Sequence, residues 1–494
     1  MTPSARRTRR KSRAPTRRTP KASPSPSERA AHLREIVEGR HAPDLGPFLT
    51  GLNDPVPGVR ETAAVALGML QDPRGASMLS AALSDPEPAV RAAAVEALGA
   101  IGRHESRTDL EACLDDPEIL VRERAARALA RLAAPPSVPA LADHADDAAP
   151  EVRWAIAAAL SQIGTDEALR ALAALLSDPW DRVRREAVLG IGRSPDPDRM
   201  ALVRTYLYDP ARRVRAAAAV VAGRRRDVES VPRLLELLRG PETWEKPSVL
   251  VALGRIGDPR AVPALVEAAH HAAPWIRVCA IHALGEMRAP EGASVGRELL
   301  ADPAGSVRGA AALALGATGS LEDTARLLRL LDDPHPWPRR GAAYALGLLG
   351  ASGAAPRLRE ALADPAAEVC LAAVWALGRL GDDGAWDALV RLLRDCGAAD
   401  GRAAEAAEGD PELATDAATR LFDATVQALG RLPGSAADPV VRRALADARA
   451  RLSEEELDRR ARLPLPEVAI EREPPTVRAL FETAMSHAGD DEES

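Results

Sequence analysis

The chain has 494 residues, with 65 lysines and arginines against 72 aspartates and glutamates, 46% hydrophobic residues and only 3% aromatics. This aromatic-poor composition, dominated by alanine, leucine and arginine, favours helices packed closely through small side chains. The four cysteines, Cys113, Cys279, Cys370 and Cys396, form no CxxC pair, which excludes a disulfide framework or thiolate metal site as the expectation. No apolar run approaches the roughly 20 residues needed to span a bilayer. The arginine-rich start has no apolar stretch behind it, so no secretion signal is expected. A soluble, reducing, cytoplasmic setting follows.

Residues 1–27 hold nine lysines and arginines and no acid, so the remainder of a chain of net charge −7 carries −16. Rich in Arg, Pro, Ser and Thr, this stretch is predicted to be a disordered basic tail spanning residues 1–30. Its cations make residues 1–27 the candidate contact for nucleic acid or another acidic surface.

From Asp54 onward a register of 31 residues begins. Asp54, Asp85, Asp116, Asp178, Asp209, Asp302, Asp333 and Asp364 each precede a proline, and every gap is 31 or a multiple of it. Asp147, Gly240 and His271 occupy the remaining grid points, here called position 0. Position +5 is usually Val and +6 Arg, as in Val59-Arg60 and Val307-Arg308. Positions +13 and +14 are mostly Leu-Gly, as in Leu67-Gly68 and Leu346-Gly347. Eleven repeats run without a break.

Each repeat reads as two helices. Asp at position 0 is a good N-cap, Pro at +1 suits the first helical position, and Gly at +14 suits a left-handed end. A B helix is therefore predicted over about +1 to +13, with an A helix in the stretch that follows, such as Gly257 to Ala268. After an acidic insertion at 396–415 the register resumes with Asp416 at 0 and Leu429-Gly430 at +13 and +14. Residues 453–494 form a C-terminal extension, with Val477, Leu480, Phe481 and Met485 on one side of a short amphipathic helix.

The pattern D-P-x-x-x-V-R-x-x-A-x-x-A-L-G resembles HEAT repeats, in particular the short HEAT-like repeats named after phycobilisome lyases. The resemblance implies an all-α fold, a right-handed α-solenoid or superhelix of about twelve two-helix repeats over residues 31–452. It also implies a ladder of Asp and +6 Arg along the stack. It says little about function, because such repeats serve scaffolds, adaptors, bilin lyases and regulatory subunits.

Helical geometry sorts the B-helix columns. Positions +5, +9, +12 and +13 share one apolar side facing helix A, and +8 and +10 suit contact with adjacent repeats. The face left over is +4, +7 and +11. Five of the seven tryptophans fall there: Trp154, Trp244, Trp275, Trp337 and Trp375. His282 and Tyr344 stand at +11 as well. An aromatic cluster on the helix that lines the concave side in HEAT-type solenoids has the makings of a protein interface. The earlier part of the same stripe is charged, with Glu61, Glu96, Glu123 and Glu151 and then Arg182, Arg185 and Arg213 as a rim able to orient a partner.

Enzymatic chemistry finds no purchase. His104-Glu105 is the one His-Glu pair where a di-iron hydroxylase would need several, and no phosphate loop or nucleophile elbow is present. No cofactor is expected. A concave nucleic-acid binder would want a basic groove, against the −16 of the body. The expected function is a scaffold or adaptor binding a protein on the B-helix face. Nucleic-acid or anionic-surface binding through the tail and a bilin lyase-like activity are the alternatives.

Overall fold

The computed structural model describes residues 25–38, 44–240, 245–399 and the single positions 425, 428 and 429. The chain divides into two compact units, Met1–Leu175 and Leu176–Ser494. Among the described residues every regular element is helical and none is a strand. Each unit is a stack of helical hairpins, an α-solenoid.

In the first unit the B helices Pro57–Leu70, Pro88–Ile101, Ile119–Leu132 and Pro150–Ile163 lie side by side. Shorter A helices, such as Ala76–Ala82 and Arg107–Ala112, cover one face of that row. The second unit repeats the plan with Asp181–Ile191, Arg212–Arg225, Lys246–Ile256, Pro274–Glu286, Gly305–Thr318, Pro336–Leu349 and Ala367–Leu380 as its B helices. The core is a thin layer of Val at +5, Ala at +9 and Leu at +13, of which Val59, Ala63 and Leu67 are almost wholly buried. One hairpin alone could not bury this face, so each repeat depends on its neighbours.

The helix limits differ from those predicted. Most B helices begin at +3 and run to about +16, and all nine left-handed residues among those described stand at +17. Five of these are glycine, and Gln71, Ala133, Arg226 and Arg288 take the same conformation. The glycine at +14 therefore lies inside the helix and serves packing. A β-carbon on Gly316 would stand 2.7 Å from Cα of Ala345, the +12 residue of the next B helix. The same contact carries the register across the insertion, because a β-carbon on Gly378 would lie 2.8 Å from Cα of Ala428, the +12 residue of the twelfth repeat.

The aspartate at position 0 likewise stands before the helix instead of capping it directly. In Asp85, Oδ1 accepts from the Glu87 amide at 2.9 Å, closing the turn that leads into the helix. The same carboxylate takes both prongs of Arg60 from the preceding repeat, at 2.7 and 2.8 Å. Arg60 Nη1 also donates to the Asp54 carbonyl of its own repeat at 3.0 Å. One guanidinium thus ties two repeats together, and the arrangement recurs at Arg91–Asp116, Arg122–Asp147, Arg184–Asp209, Arg277–Asp302, Arg308–Asp333 and Arg339–Asp364.

Where the grid residue is not Asp the ladder is patched. Gly240 offers no carboxylate, and Arg215 pairs instead with buried Glu245 at 2.8 Å. At the next grid point His271 Nδ1 accepts the Ala273 amide at 3.0 Å, while Lys246 holds the +6 position where most repeats have arginine. Restoring this rung with Lys246→Arg and His271→Asp together is expected to raise unfolding free energy by about 1 kcal/mol. A denaturant titration of the double variant and both single variants checks it, and a double variant no better than its best single would show that no fork forms.

Two predicted boundaries move. The helix Pro26–Glu38 begins inside the stretch assigned to a disordered tail of residues 1–30. It opens with a reciprocal cap in which the Ser25 amide donates to Glu28 Oε2 at 2.7 Å and the Glu28 amide to Ser25 Oγ at 3.3 Å. Arg29 of this helix pairs with Asp54 at 2.6 Å, 25 residues ahead as in the other Arg–Asp rungs, and Ser23-Pro24 lies 31 residues before Asp54-Pro55. The stack therefore starts one repeat earlier than the Asp-Pro grid showed. At the other end, the helix Trp386–Ala399 runs through residues 396–399, so the segment predicted as an acidic insertion at 396–415 begins as helix. The rest of the tail, of the insertion and of the C-terminal extension lies outside the described residues.

Candidate protein-binding site

The predicted stripe is less open than expected. Trp154, Trp275, Trp337 and Trp375 are half-buried, Tyr344 is buried at 7% exposure, and Trp244 lies outside the described residues. The cause is the close approach of the B helices. Gly347 leaves room for the Trp375 ring, whose Cζ3 would be 2.8 Å from a β-carbon there, and Tyr344 meets the same ring edge-on at 5.4 Å between centroids. These two rings form a packed pair on neighbouring helices, worth about 0.5–1.5 kcal/mol beyond simple burial. Burial pushes the Tyr344 phenol up to about 12, against the opposing influence of Arg340.

His282 is enclosed too. Neither ring nitrogen has a hydrogen-bond partner, and burial, helped by the charge of Arg255, pushes its pKa down to about 4. It is a neutral packing residue at pH 7, one helical turn from Cys279, whose thiol burial pushes up to about 12. Both belong to the wall of the stack.

Two residues that the sequence reading passed over complete the cluster. The Arg340 guanidinium lies 5.2 Å from the Trp337 ring centroid and 5.5 Å from that of Tyr344. Arg379 lies 5.6 Å from the Trp375 centroid, with Nε donating to the Gly347 carbonyl at 3.1 Å. The spacing was there to be read: Arg340 follows Trp337 by three residues and precedes Tyr344 by four, and Arg379 follows Trp375 by four, so all share a helix face. Guanidinium planes over rings are cation–π contacts and hold the arginine heads in place.

The other predicted residues sort by unit. In the second unit Arg182 is exposed and stacked on Trp180 at 5.3 Å, Arg185 is exposed and Arg213 half-buried. In the first unit Trp154 carries Arg127 at 5.3 Å, and Arg127 also pairs with Glu123 at 2.8 Å. Trp337, Arg340, Tyr344, Trp375 and Arg379 on two adjacent helices form the one compact group. Among the described residues no cluster of His, Cys, Asp and Glu could hold a metal ion, and no helix is long and apolar enough to cross a membrane.

No curated protein matches the chain by sequence. Solved structures with the same fold include yeast importin-beta, at a TM-score of 0.59 and 15% identity over 89% of this chain and 76% of that one. A second importin-beta structure gives 0.55 and 13% over 92% and 80%. The complex of CpcE and CpcF of phycocyanin lyase from Nostoc sp. is 20% identical over 51% of this chain and 97% of that one, at a TM-score of 0.30. The family described as HEAT repeats matches residues 45–130, 108–191, 172–250, 246–316 and 324–408, well over half the chain. The 31-residue register, the hairpin stack and the Asp–Arg ladder all agree with that match, and the chain belongs to the HEAT repeat family.

Proposed function

We propose that this HEAT repeat protein is a non-catalytic scaffold or adaptor that binds a protein partner on the B-helix stripe of its second unit, in a reducing, cytoplasmic setting. The observation that carries the reading is the group around Arg340. Trp337 and the Arg340 guanidinium are held half-exposed and Arg379 exposed, with Tyr344 and Trp375 packed into the core behind them, on a face that the ladder does not use. Rigid aromatics beside arginine are the side chains that most often anchor protein interfaces. Importin-beta supports the reading at the level of fold, since its yeast form has been solved in a complex with RanGDP.

Trp275 and Trp337 are the residues to truncate, because both keep part of their rings in solvent. Trp337→Ala is expected to weaken partner binding by about 2 kcal/mol, and the Trp275/Trp337 double variant by more. Both variants should unfold within about 1 kcal/mol of the parent. The measurement is quantitative affinity capture from a native lysate, run beside thermal unfolding of the same preparations. Large losses of stability with capture falling only in proportion to unfolding would place these rings in the packing and leave the scaffold without an interface on this stripe.

A further inference from the structure

The position of charge along the stripe says more about the partner than the rings do. The first unit carries acids on its stripe and meets two of them with its own arginines: Arg127 pairs with Glu123 at 2.8 Å, and Glu96 receives Arg124 at 2.8 Å and Arg131 at 3.9 Å. The second unit has the opposite balance. On the columns +4, +7, +11 and +15 of its seven B helices, Glu286 and Glu368 are the only acids among the described residues, against eight arginines. Six of those, Arg182, Arg185, Arg213, Arg255, Arg340 and Arg379, make no ion pair with a described carboxylate. Every ladder arginine beside them does, and Arg339 grips Asp364 while its chain neighbour Arg340 lies over two rings. This surplus of cations occurs in a body whose charge outside the tail is −16.

Between the arginine columns runs an apolar one. Position +11 reads Leu189, Val220, Val251, His282, Leu313, Tyr344 and Trp375 along the unit, each at least partly covered. The geometry points to a specific ligand class: the stripe takes an acidic peptide segment, whose apolar or aromatic side chains lie on the +11 column and whose Asp and Glu carboxylates meet the unpaired arginines. The inference rests on the protein-binding reading above and adds the chemistry of the partner. A nucleic acid fits less well. Arg340 and Arg379 already occupy ring faces on which bases would stack, and a sugar–phosphate backbone has no apolar side chains for the +11 column. Stacked arginines keep their outward N–H groups free for bidentate carboxylate contacts.

The test uses the full chain and a random peptide library displayed on phage, counter-selected against the Trp337→Ala variant. Enriched sequences should combine an apolar or aromatic residue with Asp or Glu. A synthetic copy with its acids changed to Asn and Gln should bind the parent about tenfold more weakly, the size expected for losing a charge-assisted contact. Added salt should narrow that gap. In Arg340→Gln/Arg379→Gln the gap between the acidic and amide peptides should shrink, while Lys at both positions should restore part of it. The peptide comparison on the parent protein needs no variant, so it holds even if the double Gln variant folds poorly. Enrichment with no acidic bias, or equal binding of the two peptides, overturns the acidic class while loss on Trp337→Ala still supports a protein-binding stripe. If no peptide depends on Trp337, both readings fall. If oligo-dT binds through Arg340 and displaces the peptide, the stripe is a nucleic-acid site and the proposal is wrong.

Discussion

Replacing Arg308 by alanine is expected to cost about 3 kcal/mol of unfolding free energy, more than any exposed ion pair in the molecule. Arg308 places Nε and Nη2 on Asp333 at 2.8 Å each, while Nη1 holds the Asp302 carbonyl at 2.8 Å. Its side chain is 13% exposed and that of Asp333 8%, so the alanine variant leaves a nearly buried carboxylate without its counter-charge. Because each repeat leans on its neighbours, the loss should concentrate in the repeats on either side, where hydrogen exchange would report it. Arg308→Lys should recover part of the loss, since an ammonium keeps the charge and lacks the fork. A loss under about 1 kcal/mol, the scale of the exposed Arg74–Asp72 pair, would mean that the ladder is decoration.

The same rungs set an acid limit. Arg29 and the Val56 amide hold the Asp54 carboxyl below its ordinary value, and Arg339 does the same at Asp364. At Asp85, Asp116, Asp147 and Asp333 burial by itself would raise the carboxyl, but the arginine fork and the turn amide outweigh it and the net direction is down. A depressed carboxylate binds its proton more readily in the unfolded chain. The stabilisation is therefore complete above about pH 4 and is lost as the pH falls through the folded values. With several rungs titrating in the same direction, the acid transition should be steep.

Gly316→Ala is expected to destabilise the protein by about 2 kcal/mol even though alanine is the better helix former by about 1 kcal/mol. The added carbon would meet Cα of Ala345 at 2.7 Å and its Cβ at 3.0 Å, and backbone cannot swing aside as a flexible side chain would. Gly58→Ala is the matched control. It too lies in a B helix, but nothing stands within 4 Å of its missing β-carbon, so propensity acts alone and stability should rise by about 0.5–1 kcal/mol. Chemical denaturation of the two variants checks the contrast. A stabilised Gly316→Ala would show that the B helices can move apart at small cost, and the packing role of the +14 column would be lost.

Much of this protein could be read from residue order alone. A fixed period of 31, Leu-Gly in one column and Asp-Pro in another are covalent facts, and they imply helical hairpins and the side that must be buried. The Asp and +6 Arg columns imply a ladder as well, but own and next repeats are equally open to each arginine by order alone, and the structure chooses the next, as Arg60 does with Asp85. The meaning of individual columns was another matter. Glycine inside a periodic apolar run has two physical uses, a left-handed turn or a close contact, and the chain gives no sign of which. Only the neighbouring helix, with Ala345 against Gly316 or Ala428 against Gly378, decides for contact and moves the left-handed turn to +17. The stripe follows the same rule. Residue order places Trp337, Tyr344 and Trp375 on one face, whereas exposure depends on how near the next helix comes, and that approach buries Tyr344 and leaves Arg340 and Arg379 lying on the rings. Periodicity is a property of one helix; the gap between two helices is a property of the pair, and it belongs to the tertiary structure.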